Sequence, residues 1–69
     1  MYEIIIRPVG KYTKDKVIEK VKYFFYDFPP KIRVYHDVNG LHTETVIDLS
    51  KVEYVTVYKN NQFMRCYRA

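Results

Sequence analysis

The last third of the chain alternates aromatic, basic and aliphatic side chains on either side of a turn at residues 60–61. Pairing the two flanking stretches as a hairpin sets Tyr58 opposite Phe63 on one surface and Val57 opposite Met64 on the other. In the same register the remaining pairs are Val55–Cys66, Thr56–Arg65 and Tyr54–Tyr67. Strand side chains point alternately to opposite faces, so one surface is aliphatic and the other is aromatic and basic. Exposed rings can stack on nucleic-acid bases, and cations between them can contact phosphates. We therefore predict that the aromatic and basic surface is a binding site and that the aliphatic surface faces the core.

The predicted binding surface extends over a second hairpin and the first strand. Its members are five aromatic residues that would stack and three arginines that would neutralise phosphates: Arg7, Arg33, Tyr35, Tyr54, Tyr58, Phe63, Arg65 and Tyr67. Lys59 is a further candidate for a phosphate contact. We expect a small, basic, non-catalytic protein that binds nucleic acid, single-stranded in preference, through this surface. Two alternatives stay open: a homodimeric protein-binding inhibitor or adaptor that captures a host protein with the same surface, and rings that only stabilise the sheet by cross-strand pairing.

The histidines do not assemble a metal or catalytic centre. A hairpin turn at residues 39–40 places His36 on the core side of the sheet and His42 on the opposite side, beside Asp37. Two ligands on opposite faces of a sheet cannot share an ion, so we expect no metal. The Asp37–His42 pair lacks a nucleophile, because no serine or cysteine is positioned with it. We therefore expect no enzyme activity and no cofactor.

Three lysines gather at the start of a predicted helix: Lys11, Lys14 and Lys16. The start of a helix is already positive because of the backbone dipole, so this arrangement indicates an anion contact there. Residues 10–13 follow a strand, as a phosphate-binding loop does. They lack the earlier glycine of that motif and have Tyr12 where Ser or Thr must follow the lysine, so they predict no nucleotide hydrolysis.

Composition bounds the class of protein and its surroundings. The 69 residues suffice for one domain, 1–69, and twelve Lys and Arg against eight Asp and Glu give a net charge of +4, which suits nucleic acid and also ordinary solubility. The lone Cys66 is expected to be a small buried hydrophobe in a reducing compartment. No long apolar stretch follows a basic start, so we expect no secretory signal, no membrane partner and a cytoplasmic location. A short chain in which eight of twelve aromatic residues are Tyr suits a phage or mobile-element accessory protein.

Apolar spacing predicts an α+β fold with the element order β-α-β-β-β-β. Strands are expected at residues 2–7, 31–37, 41–49, 52–59 and 62–68. One helix is expected over residues 14–28, where apolar residues recur at helical spacing and two prolines follow. The apolar residues of this helix stripe are Val17, Val21, Phe24, Phe25 and Phe28. The helix is expected to pack on a four- to five-stranded, mainly antiparallel sheet, either open or curled into a small barrel.

The expected core joins this helix stripe to one face of the sheet. The sheet residues in it are Ile4, Ile6, Ile32, Val34, Ile47, Leu49, Val55, Val57 and Met64. The first strand is apolar on both faces around Ile5, which suits an interior strand better than an edge. Either the sheet curls until residues 2–6 meet residues 63–68, or a second copy covers the edge and makes a homo-oligomer. Tyr23 and Tyr26 fall on the helix face opposite the stripe. They either form a patch that contacts a partner, or each ring lies over a side chain one helical turn away.

Overall fold

The computed structural model describes residues 1–69 and contains six β-strands, a three-residue 3₁₀ turn and no α-helix. The strands are β1 (Tyr2–Pro8), β2 (Lys16–Asp27), β3 (Lys31–Val38), β4 (Leu41–Asp48), β5 (Val52–Lys59) and β6 (Gln62–Tyr67), and the 3₁₀ turn η1 (Leu49–Lys51) joins β4 to β5. They form one antiparallel sheet in the order β4-β3-β2-β1-β5-β6. The expected α+β fold is therefore wrong, because the protein is all-β. None of its helical turns has the length and apolar character needed to traverse a bilayer.

The segment predicted as a helix, residues 14–28, forms the long strand β2 instead. Seven of the twelve residues of β2 are β-branched or aromatic, and such side chains lose rotamer freedom in a helix but fit a pleated sheet. The two prolines, Pro29 and Pro30, lie with Phe28 in the turn that leads from β2 into β3. Strand preference thus outweighs the helical spacing of the apolar residues.

Two β-bulges in β2 account for that misleading spacing. Ile4 of β1 faces Ile18 of β2. Two residues earlier in β1, Tyr2 faces Val21, which lies three residues later in β2, so β2 holds one residue more than its neighbour. A second extra residue, this time against β3, lies between Val21 and Tyr23. Bulges bend a strand and increase its twist, so β2 changes direction along its length.

Each bulge adds one residue to an alternation of two. The core-facing side chains of β2 are consequently Ile18, Val21 and Phe24, which are three residues apart and match a helical repeat better than the alternation of a regular strand. Lys20 lies inside the first bulge with a φ of +56°, a left-handed conformation that is uncommon for a residue with a Cβ.

Because β2 bends, the sheet folds over into two packed layers. One layer contains the first half of β2 with β1, β5 and β6, and the other contains the second half of β2 with β3 and β4. A single core lies between them, made of Ile4, Ile6, Val21, Ile32, Val34, Ile47, Leu49, Val55 and Val57. These nine predicted core residues are confirmed, and Phe24 packs partly buried against them. Four others that were expected inside are exposed: Val17, Phe25, Phe28 and Met64.

β1 lies in the interior of the sheet, as its apolar character indicates, but neither expected arrangement accounts for it. β2 pairs with one side of β1 and β5 with the other, so residues 63–68 do not reach it. On the outer surface Ile5 faces Val17 and Thr56. The uncovered edge that motivated a homo-oligomer is absent at β1, and the homo-oligomer stays a prediction without that reason.

The β3–β4 hairpin has the predicted register. Asn39 and Gly40 both have positive φ, as a two-residue turn of type I′ requires, and Asp37 faces His42.

The β5–β6 hairpin departs from its predicted register after the two pairs next to the turn, Lys59–Gln62 and Tyr58–Phe63. Tyr58 faces Phe63 as expected, but a bulge at Met64 then displaces every later partner by one residue. The observed pairs are Val57–Arg65, Thr56–Cys66 and Val55–Tyr67. The predicted pairs Val57–Met64, Thr56–Arg65, Val55–Cys66 and Tyr54–Tyr67 are wrong. A one-residue slip exchanges the two faces of a strand, so Cys66 is exposed rather than buried and Tyr67 packs against the core.

The bulge at Lys20 yields a prediction about stability. Replacing Lys20 with Gly should stabilise the fold by roughly 0.5–1 kcal/mol, because a left-handed φ strains any residue with a Cβ and the Lys20 side chain forms no salt bridge that would be lost. Glu19→Gly is the matched control: Glu19 is the exposed neighbour in the same strand, has no positive φ, and its replacement should destabilise. Urea denaturation of both variants measures the difference, and equal destabilisation by both would contradict the bulge.

Candidate nucleic-acid interface

The eight predicted binding residues do not share one surface. Arg33 and Tyr35 lie on the outer surface of the β2–β3–β4 layer. On the outer surface of the other layer lie Arg7, Tyr54, Tyr58 and Phe63. Arg65 and Tyr67 turn inward, toward the second half of β2. Two features divide the set: the sheet folds at β2, and the bulge at Met64 exchanges the faces of β6.

The outer surface of the β2–β3–β4 layer carries three near-parallel rings, which we call the ring-stack face. The Tyr35 ring stacks on Tyr23 with centroids 4.5 Å apart and planes inclined by 20°, and lies 6.0 Å from Phe25 at 17°. Tyr23 is 55% exposed and Phe25 43%. Sequence reasoning missed Phe25 because β2 was assigned to a helix, where Phe25 falls in the core stripe. The alternation of Tyr23 and Phe25 is the strand signal that could have found it.

Carboxylates neutralise the cation on the ring-stack face. The Arg33 guanidinium lies 2.9 Å from an Asp27 oxygen and 3.3 Å from a Glu44 oxygen. The Tyr35 hydroxyl donates a hydrogen bond to Glu44, which raises the pKa of that hydroxyl. Arg33 is thus held by two carboxylates, and a phosphate would have to displace them.

Arg7 is held in the same way on the other layer. Its guanidinium lies 3.1 Å from an Asp15 oxygen and 3.9 Å from a Glu53 oxygen, and it also donates to the carbonyl of Thr13. The role predicted for Arg7 and Arg33 as free phosphate contacts is therefore not supported by their surroundings.

The cations of the β5–β6 hairpin have different neighbours, which are rings. Lys59 Nζ lies 5.5 Å from the centroid of the Tyr2 ring. The Arg65 guanidinium carbon lies 4.9 Å from the Tyr67 centroid, and that of Arg68 lies 5.3 Å from the Tyr54 centroid. None of these three cations forms a salt bridge. We call the cations and rings of this hairpin the hairpin site: Tyr54, Tyr58, Lys59, Phe63, Arg65, Tyr67 and Arg68.

Aromatic contacts fix the rings of the hairpin site. On the outer surface, Tyr58 and Phe63 meet edge to face at 6.1 Å, and Phe63 remains 61% exposed. On the inner side, Tyr67 contacts Phe24 edge to face at 6.3 Å and stacks on Tyr26 at 6.4 Å. Tyr26, expected on the outside of a helix, thus lies beside the hairpin site. The hairpin presents rings and unpaired cations on both of its surfaces.

The predicted anion site at Lys11, Lys14 and Lys16 loses its physical basis. The first two lie in the loop between β1 and β2, and Lys16 begins β2, so no helix dipole acts on them. All three lysines are exposed, and so is the loop between β1 and β2, in which Tyr12 is 96% exposed.

The two histidines occupy opposite faces, as predicted. His36 is buried, and its Nε2 lies 2.7 Å from the Thr45 hydroxyl. His42 is exposed, with Nδ1 3.4 Å from Asp37 and Nε2 3.1 Å from Lys22 Nζ. No three His, Cys, Asp or Glu side chains group closely enough to hold a metal ion.

The salt bridges of Arg33 with Asp27 and Glu44 predict that the stability of the fold depends on pH in the acid range. The pKa of the Asp27 carboxyl lies below its usual range because Arg33 Nε and the amide of Phe28 donate hydrogen bonds to it. Since the pKa is lower in the folded than in the unfolded state, the resulting stabilisation is complete at neutral pH and is lost as pH falls through the folded value. Replacing Arg33 with Met should raise the Asp27 pKa toward its usual value, as followed by the carboxyl carbon shift in an NMR titration.

Asp48 provides the internal control for this titration. Its pKa is lowered by the hydroxyl and amide of Ser50, which do not depend on Arg33. An Asp27 pKa that does not change in the Arg33→Met variant, or one that changes only as much as that of Asp48, would contradict the network.

No protein-family model, curated protein or solved structure matches this chain. The function is therefore inferred from the geometry and charge of the surfaces described above.

Proposed function

We propose that this protein is a non-catalytic nucleic-acid-binding protein and that the β5–β6 hairpin is its binding element, through the residues of the hairpin site on both of its faces. The observation that carries the proposal is the pairing of cations with rings. Lys59, Arg65 and Arg68 each lie over a ring and have no carboxylate partner. Rings that stack on bases beside cations that neutralise phosphates are the two components of a single-strand binding surface.

The distribution of charge supports this surface over the ring-stack face. The excess of twelve Lys and Arg over eight Asp and Glu is not spread evenly. On the ring-stack face the arginine, Arg33, is held in salt bridges, and Arg7 and Lys22 are held likewise, whereas Lys59 and Arg65 of the β5–β6 hairpin are unpaired. A phosphate at the hairpin site therefore gains an attraction without breaking an ion pair.

Two of the eight carboxylates are poorly suited to act as a general acid. Asp27 and Asp48 are bonded to Arg33 and Ser50, and the pKa of each is lowered. A general acid at neutral pH needs the opposite shift. A cytoplasmic location belongs to the same proposal, because an exposed free thiol such as Cys66 suits a reducing compartment.

Salt dependence tests the proposal. For a labelled single-stranded oligonucleotide, Arg65→Ala should reduce the slope of log K against log salt by about 0.7, the value for one phosphate contact with a single strand. Lys31→Ala is the matched control, since Lys31 is also outside any salt bridge but lies in the other layer on β3. Fluorescence anisotropy measures the salt slope of both variants. The salt range is 50 to 200 mM, roughly the range over which phosphate contacts change the affinity. An equal loss of slope in the two variants, or no binding by the wild type below about 100 μM, would contradict the hairpin site.

A second candidate function, capture of a partner protein, is favoured by the ring-stack face. Its rings are stacked and half exposed, and its arginine is fixed by carboxylates, so it presents a preorganised and nearly neutral patch of the residue types that dominate protein interfaces.

Two matched phenylalanine variants separate the two functions. Phe63→Ala should weaken oligonucleotide binding by roughly 1–3 kcal/mol with little change in salt slope, because stacking is largely neutral. Phe25→Ala should leave oligonucleotide binding unchanged. If instead Phe25→Ala abolishes capture of a protein from host extract while Phe63→Ala does not, and neither affects an oligonucleotide, the second function replaces the first.

A further inference from the structure

The loop between β1 and β2, residues 9–15, is fixed against the sheet although its own side chains are exposed. The Arg7 guanidinium donates hydrogen bonds to the Thr13 carbonyl at 3.4 Å and to an Asp15 oxygen at 3.1 Å. The Thr13 hydroxyl donates to the Gly10 carbonyl at 3.1 Å, and Gly10 has a φ of +128°, which residues with a Cβ rarely adopt. These contacts give the loop a defined shape in the free protein.

The ring of Tyr12 projects from this loop into solvent and packs on nothing. Tyr12 is the most exposed large hydrophobic residue of the chain. Every other tyrosine contacts a second ring or a cation, whereas Tyr12 contacts neither. Cross-strand pairing, which explains rings that stabilise a sheet, therefore does not explain this one. Both faces of the Tyr12 ring are free to stack on a ligand.

The charges of the loop and of the residue that holds it favour an anionic ligand. Lys11 and Lys14 lie on either side of the exposed ring in sequence, and neither forms a salt bridge. Asp15 and Glu53 are the carboxylates that contact Arg7. Three cations against these two carboxylates leave one positive charge in excess, and the two lysines are the cations without a partner.

The loop continues the outer surface of the β5–β6 hairpin. Arg7, which holds the loop, faces Tyr54 across β1 and β5, and the Arg68 guanidinium carbon lies 5.3 Å from the Tyr54 centroid. Tyr58 lies four residues further along β5, about 13 Å at roughly 3.3 Å per residue, and contacts Phe63 on the same outer surface. Because Pro8 at the end of β1 faces the start of β5, the loop lies beyond Tyr54, at the end of β5 opposite the turn at residues 60–61.

We propose that the loop of residues 9–15 is a second contact for the nucleic acid: Tyr12 stacks on a base, and Lys11 and Lys14 contact phosphates, of the same single strand that Phe63 engages at the other end of the outer surface. This inference rests on the proposed function and specifies its ligand as a single strand long enough to reach from the turn at residues 60–61 to the loop. A short oligonucleotide reaches only the rings of the hairpin. A duplex fits poorly, because the faces of its bases are covered by their neighbours.

The test compares two labelled single-stranded oligonucleotides, about 4 and about 12 nucleotides long, within the roughly 4–16 nucleotides that such sites cover. Fluorescence anisotropy with the full chain measures both affinities. Tyr12→Ala should weaken the longer oligonucleotide by about 5- to 150-fold, the loss that removal of one base stack typically gives, and should leave the shorter one unchanged. Phe63→Ala should weaken both, and Tyr12→Phe should bind both like the wild type. Because the Tyr12 ring packs on nothing, Tyr12→Ala should unfold at the same urea concentration as the wild type.

Phe28→Ala is the matched control, because Phe28 is also a highly exposed ring outside the strands but lies in the turn between β2 and β3, beside the Asp27 carboxylate. It should leave both affinities unchanged. If Tyr12→Ala has no effect on the longer oligonucleotide while Phe63→Ala still weakens it, the loop contact is overturned and the proposed function stands. Equal weakening of both lengths by Tyr12→Ala, or an equal effect of Phe28→Ala, would also overturn the loop contact. A wild type that binds neither length would overturn the proposed function and the loop contact together.

Discussion

The two extra residues in β2 are the constraint on which the rest of the molecule depends. A strand without them would continue straight, and one flat sheet of six strands could not bury nine aliphatic side chains in a single cluster. With them, β2 bends and belongs to both layers, so Val21 faces Tyr2 on one side and His36 on the other. The same bend leaves the first half of β2 with one free edge, because β3 pairs with β2 only from Val21 onward. The core and this free edge thus have one cause.

Whether a surface of this protein can bind an anion depends less on how many arginines it carries than on whether carboxylates already pair with them. Arg7 and Arg33 were both expected to meet phosphates, yet each is held by two acidic side chains. Arg65 and Arg68 have rings as neighbours instead. An exposed ion pair contributes little to stability, but it lowers the gain from an incoming phosphate, because that phosphate competes with a partner already in place. The cations outside any salt bridge therefore lie on the β5–β6 hairpin, on the β1–β2 loop and at Lys16, Lys20, Lys31 and Lys51.

The sequence predicted those parts of the fold in which strand alternation is unbroken. Ile4, Ile6, Ile32 and Val34 follow a simple period of two and were assigned to the core correctly, as was the β3–β4 hairpin, whose Asn-Gly turn fixes its register. The errors lie where a bulge adds a residue. In β2 it turned a strand pattern into a helical one, and at Met64 it exchanged the faces of Arg65, Cys66 and Tyr67. Bulges follow from long-range pairing with a neighbouring strand, which spacing within one segment does not reveal. A strand-rich composition in residues 16–27 was the available signal against a helix.

The bent strand can be tested directly by nuclear Overhauser effects between backbone protons of β2 and its neighbours. The structure requires contacts of Ile18 with Ile4, of Val21 with both Tyr2 and His36, and of Tyr23 with Tyr35. Strong sequential contacts and the absence of contacts between residues three apart would accompany them. A series of contacts from each residue to the third residue following it, across residues 16–27, would mean a helix and would contradict the account of fold and sites alike.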